Sequence, residues 1–394
     1  MFNEQMLAER TQHMGSSAIR EILKVLSRPG IVSLAGGMPA PEAFPMEKMN
    51  ALCELVLQKH GTAALQYGTT EGFFPLKEAL AGYLKENKIE TAPENINIAT
   101  GSQGVLDALG KILITPGDAI AVEAPTYLGA LQAFNPYGPR YVQMETDEDG
   151  LIPESMKAVI KEHRPKMVYL VPTFQNPTGR TVPLERRQQI AAIAQATDTL
   201  IIEDDPYGQL RYRGEFVTPI AAMAPEHVVY CGSFSKVFAP GLRVGFYIAP
   251  QLVEEWLVRA KQGVDLHTSS FSQALAAEFV AGGYLKEHLP KIIELYRPKQ
   301  EAMLTAMDEF FPQSFTWSQP EGGMFIWAEG PPGMDALKLY DEAINNHVAF
   351  VPGRYFYTEE GAGSNTLRLN FTMVDEATIR AAIERLATAM KKFV

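Results

Sequence analysis

Between about residues 95 and 250, short runs of apolar and β-branched residues alternate with longer segments of helical period. The runs cover 96–99, 119–123, 167–171, 200–203, 228–231 and 244–249, with helical stretches such as 105–114, 153–163 and 183–197 between them. Runs too uniformly apolar to alternate are strands buried on both faces, so this section predicts a mostly parallel sheet with helices on both sides. Beyond residue 250 the rhythm changes. Long helical segments at 251–262, 270–281 and 284–311 lead into short strands at 323–328, 349–351 and 367–371. A last amphipathic helix starts after Asp375, a plausible N-cap, and runs to Lys392. This tail reads as a smaller α+β domain. Near the start, a helix around 17–27 stops at Arg28-Pro29-Gly30, where proline and glycine break it.

Composition narrows the class. The chain has 394 residues, too many for one ordinary core of about 100–200 residues. With 46% apolar and 21% charged residues it is a globular chain rather than a disordered one. A net charge of −11 argues against a nucleic-acid backbone or an anionic membrane as the main partner. The two cysteines, Cys53 and Cys231, are far apart and form no C-x-x-C pair. No run approaches the roughly 18 apolar residues of a membrane span. Residues 1–14 carry Glu4, Glu9 and Arg10 without an apolar stretch, unlike a secretory signal. A cytoplasmic protein is expected, with no metal site.

Five stretches carry candidate chemistry. Thr100-Gly101-Ser102-Gln103-Gly104 follows a strand and opens a helix; it is either a tight turn or an anion cradle built on a helix N-terminus. Phe174-Gln175-Asn176-Pro177-Thr178-Gly179 is a loop at the carboxyl edge of the sheet, where open α/β sheets bind ligands. Glu203-Asp204-Asp205-Pro206-Tyr207 ends the next strand, and at least two of its three acids are expected to be solvated loop groups. Gly232-Ser233-Phe234-Ser235-Lys236 precedes Arg243 by a few residues. Ser233 and Lys236 fit S-x-x-K, but the S-D-N and K-T-G companions of that signature are missing. The other readings of Lys236 are a Schiff-base lysine with an anion held beside it, or an ordinary surface lysine. Finally, Arg368 sits inside the apolar strand Thr366-Leu367-Arg368-Leu369-Asn370-Phe371, and arginine is rarely buried without an anionic partner.

Singly each signal is weak, but their order resembles the fold-type I, pyridoxal-phosphate-dependent aminotransferases of class I/II. The matching segments are Gly101-Ser102-Gln103, Pro125-Thr126-Tyr127, Asn176-Pro177-Thr178-Gly179, Asp204-Asp205-Pro206-Tyr207, Ser233-Phe234-Ser235-Lys236 with Arg243, and Arg368-Leu369-Asn370. The resemblance covers essentially the whole chain. A closer likeness is to the 2-aminoadipate (kynurenine/aminoadipate-type) branch, through Ile19-Arg20-Glu21-Ile22-Leu23-Lys24, Arg28-Pro29-Gly30-Ile31 and Leu34-Ala35-Gly36-Gly37-Met38-Pro39. Ala260-Lys261-Gln262-Gly263 and Asp265-Leu266-His267-Thr268 add to it. Because the sequence starts directly with this N-terminal segment, the DNA-binding domain that precedes a similar body in some transcription regulators is expected to be lacking.

The resemblance implies a large domain with a seven-stranded, mostly parallel sheet plus a smaller α+β domain. The expected division is an N-terminal arm at 1–45, a cofactor domain at 46–290 and a C-terminal domain at 291–394. It further implies that Lys236 holds pyridoxal 5′-phosphate and carries the proton at the substrate Cα. Asp204 pairs with the pyridine nitrogen; Asn176 and Tyr207 hydrogen-bond the ring 3-oxygen; Tyr127 stacks on the ring. Gly101, Ser102, Gln103, Ser233, Ser235 and Arg243 surround the phosphate. Tyr67 matches a tyrosine donated by the neighbouring subunit, implying a homodimer with shared active sites. Arg368 takes the α-carboxylate, backed by Asn176 and Gly37. Ser17 and Arg20 match a helix that covers the substrate, and Arg20 is either a distal-carboxylate receptor or a solvated helix residue. The implied activity moves an amino group between L-amino acids and 2-oxo acids, with 2-aminoadipate or glutamate and 2-oxoglutarate foremost, extending to aromatic or branched-chain substrates. A valine/alanine–pyruvate-type or aromatic aminotransferase, a lyase or racemase on the same fold, or a non-catalytic ligand-binding body are the alternatives.

Overall fold

A computed structural model describes residues 3, 6–15 and 30–393. The helix expected near 17–27 lies outside the described residues, and Ser17 and Arg20 with it.

Seven strands form the main sheet: β1 (Asn97–Ala99), β2 (Ala119–Glu123), β3 (Arg140–Met144), β4 (Val168–Leu170), β5 (Ile201–Asp205), β6 (Val228–Ser233) and β7 (Gly245–Ile248). Their order is β1-β7-β6-β5-β4-β2-β3. Every neighbouring pair is parallel except the two made by β7, which runs antiparallel to both β1 and β6. The inner strands are buried on both faces, which is why they read as unbroken apolar runs. Apolar runs announced six of the seven strands. The seventh, β3, has one neighbour only, and Arg140, Tyr141 and Gln143 alternate with buried Val142 and Met144. This strand keeps one face partly wet, so its sequence has no continuous apolar signature.

The helices include α1 (Ser102–Leu113), α2 (Pro153–His163), α3 (Leu184–Thr197), α4 (Gln251–Asp265), α5 (Ser270–Ala281), α6 (Tyr284–Phe310) and α7 (Glu376–Met390), the last packed against α6. Asp375 caps α7 by accepting a hydrogen bond from the Thr378 N–H at 2.7 Å. The apolar face of α7 follows the helical period through Ile379, Ile383, Leu386 and Met390, all buried.

A second, antiparallel sheet contains β8 (Thr316–Trp317), β9 (Phe325–Glu329), β10 (Val351–Pro352) and β11 (Thr366–Asn370), in the order β8-β9-β11-β10. The single strand expected at 349–351 is divided. Val348–Ala349 pairs in parallel with Val32–Ser33, whereas β10 pairs with β11. The chain thus changes partner at Phe350, a fully buried ring, and brings residues near the N-terminus against the second sheet. The division at 45/46 and 290/291 remains a proposal; the latter boundary falls within the continuous helix α6.

Candidate active site

The carboxyl ends of β1, β2, β4, β5 and β6 are followed by Gly101, Tyr127, Asn176, Tyr207 and Lys236 respectively, and Asp204 is the last residue but one of β5 itself. Parallel strands present their ends, and the loops after them, on one edge of a sheet. Arg243 precedes a strand rather than following one. It reaches the same edge because β7 is reversed: Gly245 lies opposite both Ser233 and Ala99.

Lys236 donates a hydrogen bond from Nζ to the Gly37 carbonyl at 2.6 Å. Burial, with help from the nearby charges of Arg368 and Arg243, lowers its pKa from 10.5 to about 8. Arg368 is 2% exposed. Its two terminal nitrogens donate to Asn176 Oδ1 at 2.7 Å and to the Ala35 carbonyl at 2.8 Å. The guanidinium carbon lies 4.2 Å from the ring centroid of Phe325 and 5.1 Å from that of Phe356. Nε has no partner, and among the described residues no carboxylate forms an ion pair with this arginine. Burial lowers its pKa from 12.5 to about 10. Asn176 also donates through Nδ2 to the Tyr207 hydroxyl at 3.4 Å. Lys236, Arg368, Asn176, Tyr207 and Gly37 therefore form one cluster. Gly37 meets the lysine, and it is the Ala35 carbonyl that touches the arginine.

The acids after Ile202 are not solvated loop groups. Glu203 is buried against Arg187 at 4.0 Å and accepts from the backbone N–H groups of Ile220 and Ala221 at 2.9 and 2.8 Å. Asp205 accepts from the Tyr230 hydroxyl and the Gly208 N–H, both at 2.9 Å. Apart from Gly208 those partners lie 16 or more positions away, so the motif alone gives no sign of them. Asp204 differs. It is 1% exposed, Oδ2 accepts from the Tyr169 hydroxyl at 2.9 Å, and Oδ1 has no partner. Burial raises its pKa from 3.8 to about 7. Tyr169 escapes sequence reading because it looks like one more aromatic in a buried strand. Tyr127, beside Asp204 and Arg368 electrostatically, has its own pKa raised, chiefly by burial.

Gly101 caps α1 with φ +75°, a conformation that suits glycine. A Cβ here would run into the Arg243 guanidinium, whose Nη2 donates to the Thr100 carbonyl at 3.2 Å. A Cβ on Gly245 would approach Gly101 C and Ser102 N to 2.9 Å. Backbone therefore packs on backbone at the start of α1. Ser102 and Gln103 form its first turn, and the Gln103 side chain donates to the Gly129 carbonyl at 2.7 Å. On the β6 side, the Ser235 N–H donates to Ser233 Oγ at 3.1 Å. Tyr67 stands apart from the cluster, 78% exposed, with its ring edge-on to His267 at 5.7 Å. Among the described residues no cluster of three His, Cys, Asp or Glu side chains could hold a metal. None of the described helices is long and apolar enough to cross a membrane.

This donor set fits pyridoxal phosphate. The bare Oδ1 of Asp204 can meet a protonated ring nitrogen. The helix N-terminus beside Arg243 suits a phosphate, and the low-pKa amine of Lys236 suits an aldehyde. Such a site on a seven-stranded sheet of this order is that of a pyridoxal-phosphate-dependent enzyme, and comparison with known proteins shows it to be a transaminase. The sequence profile of the family "Aminotransferase class I and II" matches residues 15–386, and the chain belongs to that family. It is 47% identical to aromatic-amino-acid aminotransferase 1 of Thermococcus litoralis, over 99% of this chain and 95% of that one. It is 42% identical to 2-aminoadipate transaminase of Thermus thermophilus, over 95% of this chain and 94% of that one. The crystal structure of a kynurenine aminotransferase from Pyrococcus horikoshii, in complex with PMP, superposes with a TM-score of 0.95 at 43% identity, covering 99% of this chain and 98% of that one. Family, fold and cofactor agree with the resemblance carried by the motifs.

Proposed function

We propose that the protein is a homodimeric transaminase that uses glutamate and 2-oxoglutarate as one pair. The other pair is 2-aminoadipate, or an aromatic or branched-chain amino acid, with its 2-oxo acid. The observation that carries this reading is Arg368, a buried guanidinium beside Lys236 with no acid of the described chain to neutralise it. A buried cation without a partner is costly, and the α-carboxylate common to amino and 2-oxo acids neutralises it in a bidentate pair. Phe325 and Phe356 against its faces suit an apolar substrate side chain. The Thermococcus and Thermus relatives, named for aromatic amino acids and for 2-aminoadipate, support the same breadth. The exposure of Tyr67 supports its donation to a neighbouring subunit's site.

Bound pyridoxal phosphate supplies an electron sink for negative charge developing at the substrate Cα. Asp204 would hold the ring nitrogen protonated through Oδ1. Asn176 and Tyr207 would hydrogen-bond the ring 3-oxygen, with Tyr127 against the ring. The N–H groups of Gly101, Ser102 and Gln103, with Ser233, Ser235 and Arg243, would hold the phosphate. Arg368, kept in place by Asn176 and the Ala35 carbonyl, would fix the substrate so that its Cα–H faces Lys236. With a pKa of about 8, Lys236 Nζ is poised to take that proton and return it.

The test is a screen of amino acids against the pyridoxal form with no acceptor present. Glutamate, 2-aminoadipate and phenylalanine are each expected to bleach the cofactor absorbance. A glutamate that leaves the spectrum unchanged overturns the proposed pair. Arg368→Lys keeps the charge but loses the planar fork, and kcat/KM should fall by about 10²-fold for every substrate. A loss confined to one substrate class would count against an α-carboxylate role. Arg20→Ala should lower kcat/KM for glutamate by about 10²-fold and leave leucine within about threefold, if Arg20 reads a distal carboxylate. Equal losses on both would remove that role.

A further inference from the structure

At the carboxyl end of α4, Asp265 accepts a hydrogen bond from the Thr100 hydroxyl and forms an ion pair with Lys261 Nζ at 2.6 Å. The Thr268 hydroxyl lies 3.0 Å from the same Thr100 oxygen. Thr100 is the residue whose carbonyl receives Arg243 Nη2 at 3.2 Å. Thr100, Gln103, Arg243, Lys261 and Asp265 line one cavity of about 420 Å³. Directly after Asp265 the helix ends at Leu266, which takes φ +59°, a value side-chain-bearing residues seldom adopt.

We infer that Asp265 is a positioning residue for the phosphate cradle, locking the Thr100 side chain so that its carbonyl aims Arg243, while Lys261 cancels the carboxylate's charge. The need for such a lock follows from the packing. Backbone meets backbone where Gly101 faces Gly245, so these glycines offer no side chain to fix the Thr100 peptide, and Arg243 is itself the group to be aimed. The charge balance follows from electrostatics, because a lone carboxylate close to a phosphate dianion would weaken its binding. An i,i+4 lysine with only 9% of its side chain exposed removes that penalty. The inference rests on the reading of residues 100–103 and Arg243 as the phosphate cradle.

The test is a titration of the full-length protein, stripped of cofactor, with pyridoxal phosphate and with pyridoxal, which lacks the phosphate. Binding is followed by absorbance and protein fluorescence. Asp265→Ala and Thr100→Val are expected to raise Kd for pyridoxal phosphate about tenfold, the size of one lost hydrogen bond to a charged group, and to leave pyridoxal within about twofold. Thr100→Ser keeps the hydroxyl and should bind as the unaltered protein does. Lys261→Met should weaken pyridoxal phosphate about fivefold, and adding Asp265→Asn should recover the loss by removing the uncompensated charge. Arg243→Leu tests the underlying reading. If it fails to weaken pyridoxal phosphate selectively, the cradle assignment falls. If it succeeds while Asp265→Ala and Thr100→Val have no effect, or weaken both ligands equally, the positioning role alone is overturned. Should Asp265→Ala not fold, the Thr100→Val and Thr100→Ser pair decides the matter.

Discussion

Lys236→Ala is expected to fold, to bind pyridoxal phosphate without a covalent link, and to lose transamination by about 10⁴-fold or more. In the proposed mechanism one amine has two tasks, joining the aldehyde and moving the Cα proton, so no partial substitute remains when it is removed. Single-turnover conversion with glutamate measures the loss, and a variant keeping more than about one hundredth of the rate would exclude Lys236 from both tasks. Removing this amine also has a stability signature in the cofactor-free protein. The pKa of Lys236 is lowered on folding from 10.5 to about 8, so between those values the unfolded chain binds the extra proton. Stability therefore rises with pH across that window, and below about pH 8 the buried charge weighs on the fold in full. Lys236→Met should raise Tm near pH 7, and its advantage should shrink as the pH climbs from about 8 toward 10.5.

Asp204→Asn should lower kcat by about 10³-fold, because a neutral amide cannot hold the ring nitrogen protonated and the electron sink weakens. The sign on stability is again opposite to the sign on activity. Folding raises the pKa of Asp204 from 3.8 to about 7, so the native state binds a proton that the unfolded chain releases between those values. The cofactor-free protein therefore loses stability as pH rises from about 4 to 7. The asparagine variant lacks this titration. Its Tm should exceed that of the unaltered protein at pH 8 and converge on it toward pH 4, as thermal melts across pH would measure. A variant that melts lower at pH 8 would mean that the Tyr169 hydrogen bond outweighs the buried charge.

What could be read from the residues follows from how local each signal is. β2, α2 and α5 appear with the bounds their periodicity predicts, since an uninterrupted apolar run or a capped helix is a local statement. Arg368 was conspicuous because a guanidinium in an apolar strand demands an explanation, and it is buried as expected. The proposed site residues stand out through their order along the chain, with Gly101, Tyr127, Asn176, Tyr207 and Lys236 each placed just after a strand of the main sheet. What stayed hidden depends on contacts between distant residues. Tyr169 meets Asp204 across neighbouring strands, and Thr100 meets Asp265 from 165 positions away. The burial of Glu203 depends on Arg187 and on a turn at Ile220. β3 was silent for a simpler reason, its wet outer face.

The reversed strand β7 has a consequence for assembly. It joins residue 99 to residue 245 on one side and residue 245 to residue 233 on the other. The cradle beneath it thus closes only after a loop of well over a hundred residues has been brought home, one of the slow, non-local steps of folding. With the phosphate held at this proposed cradle, a half-zipped sheet would lack its receptor, and by mass action the cofactor's binding energy would stabilise the finished sheet as a whole. In a cell, the vitamin supply would act on this enzyme as a chaperone as well as a reagent.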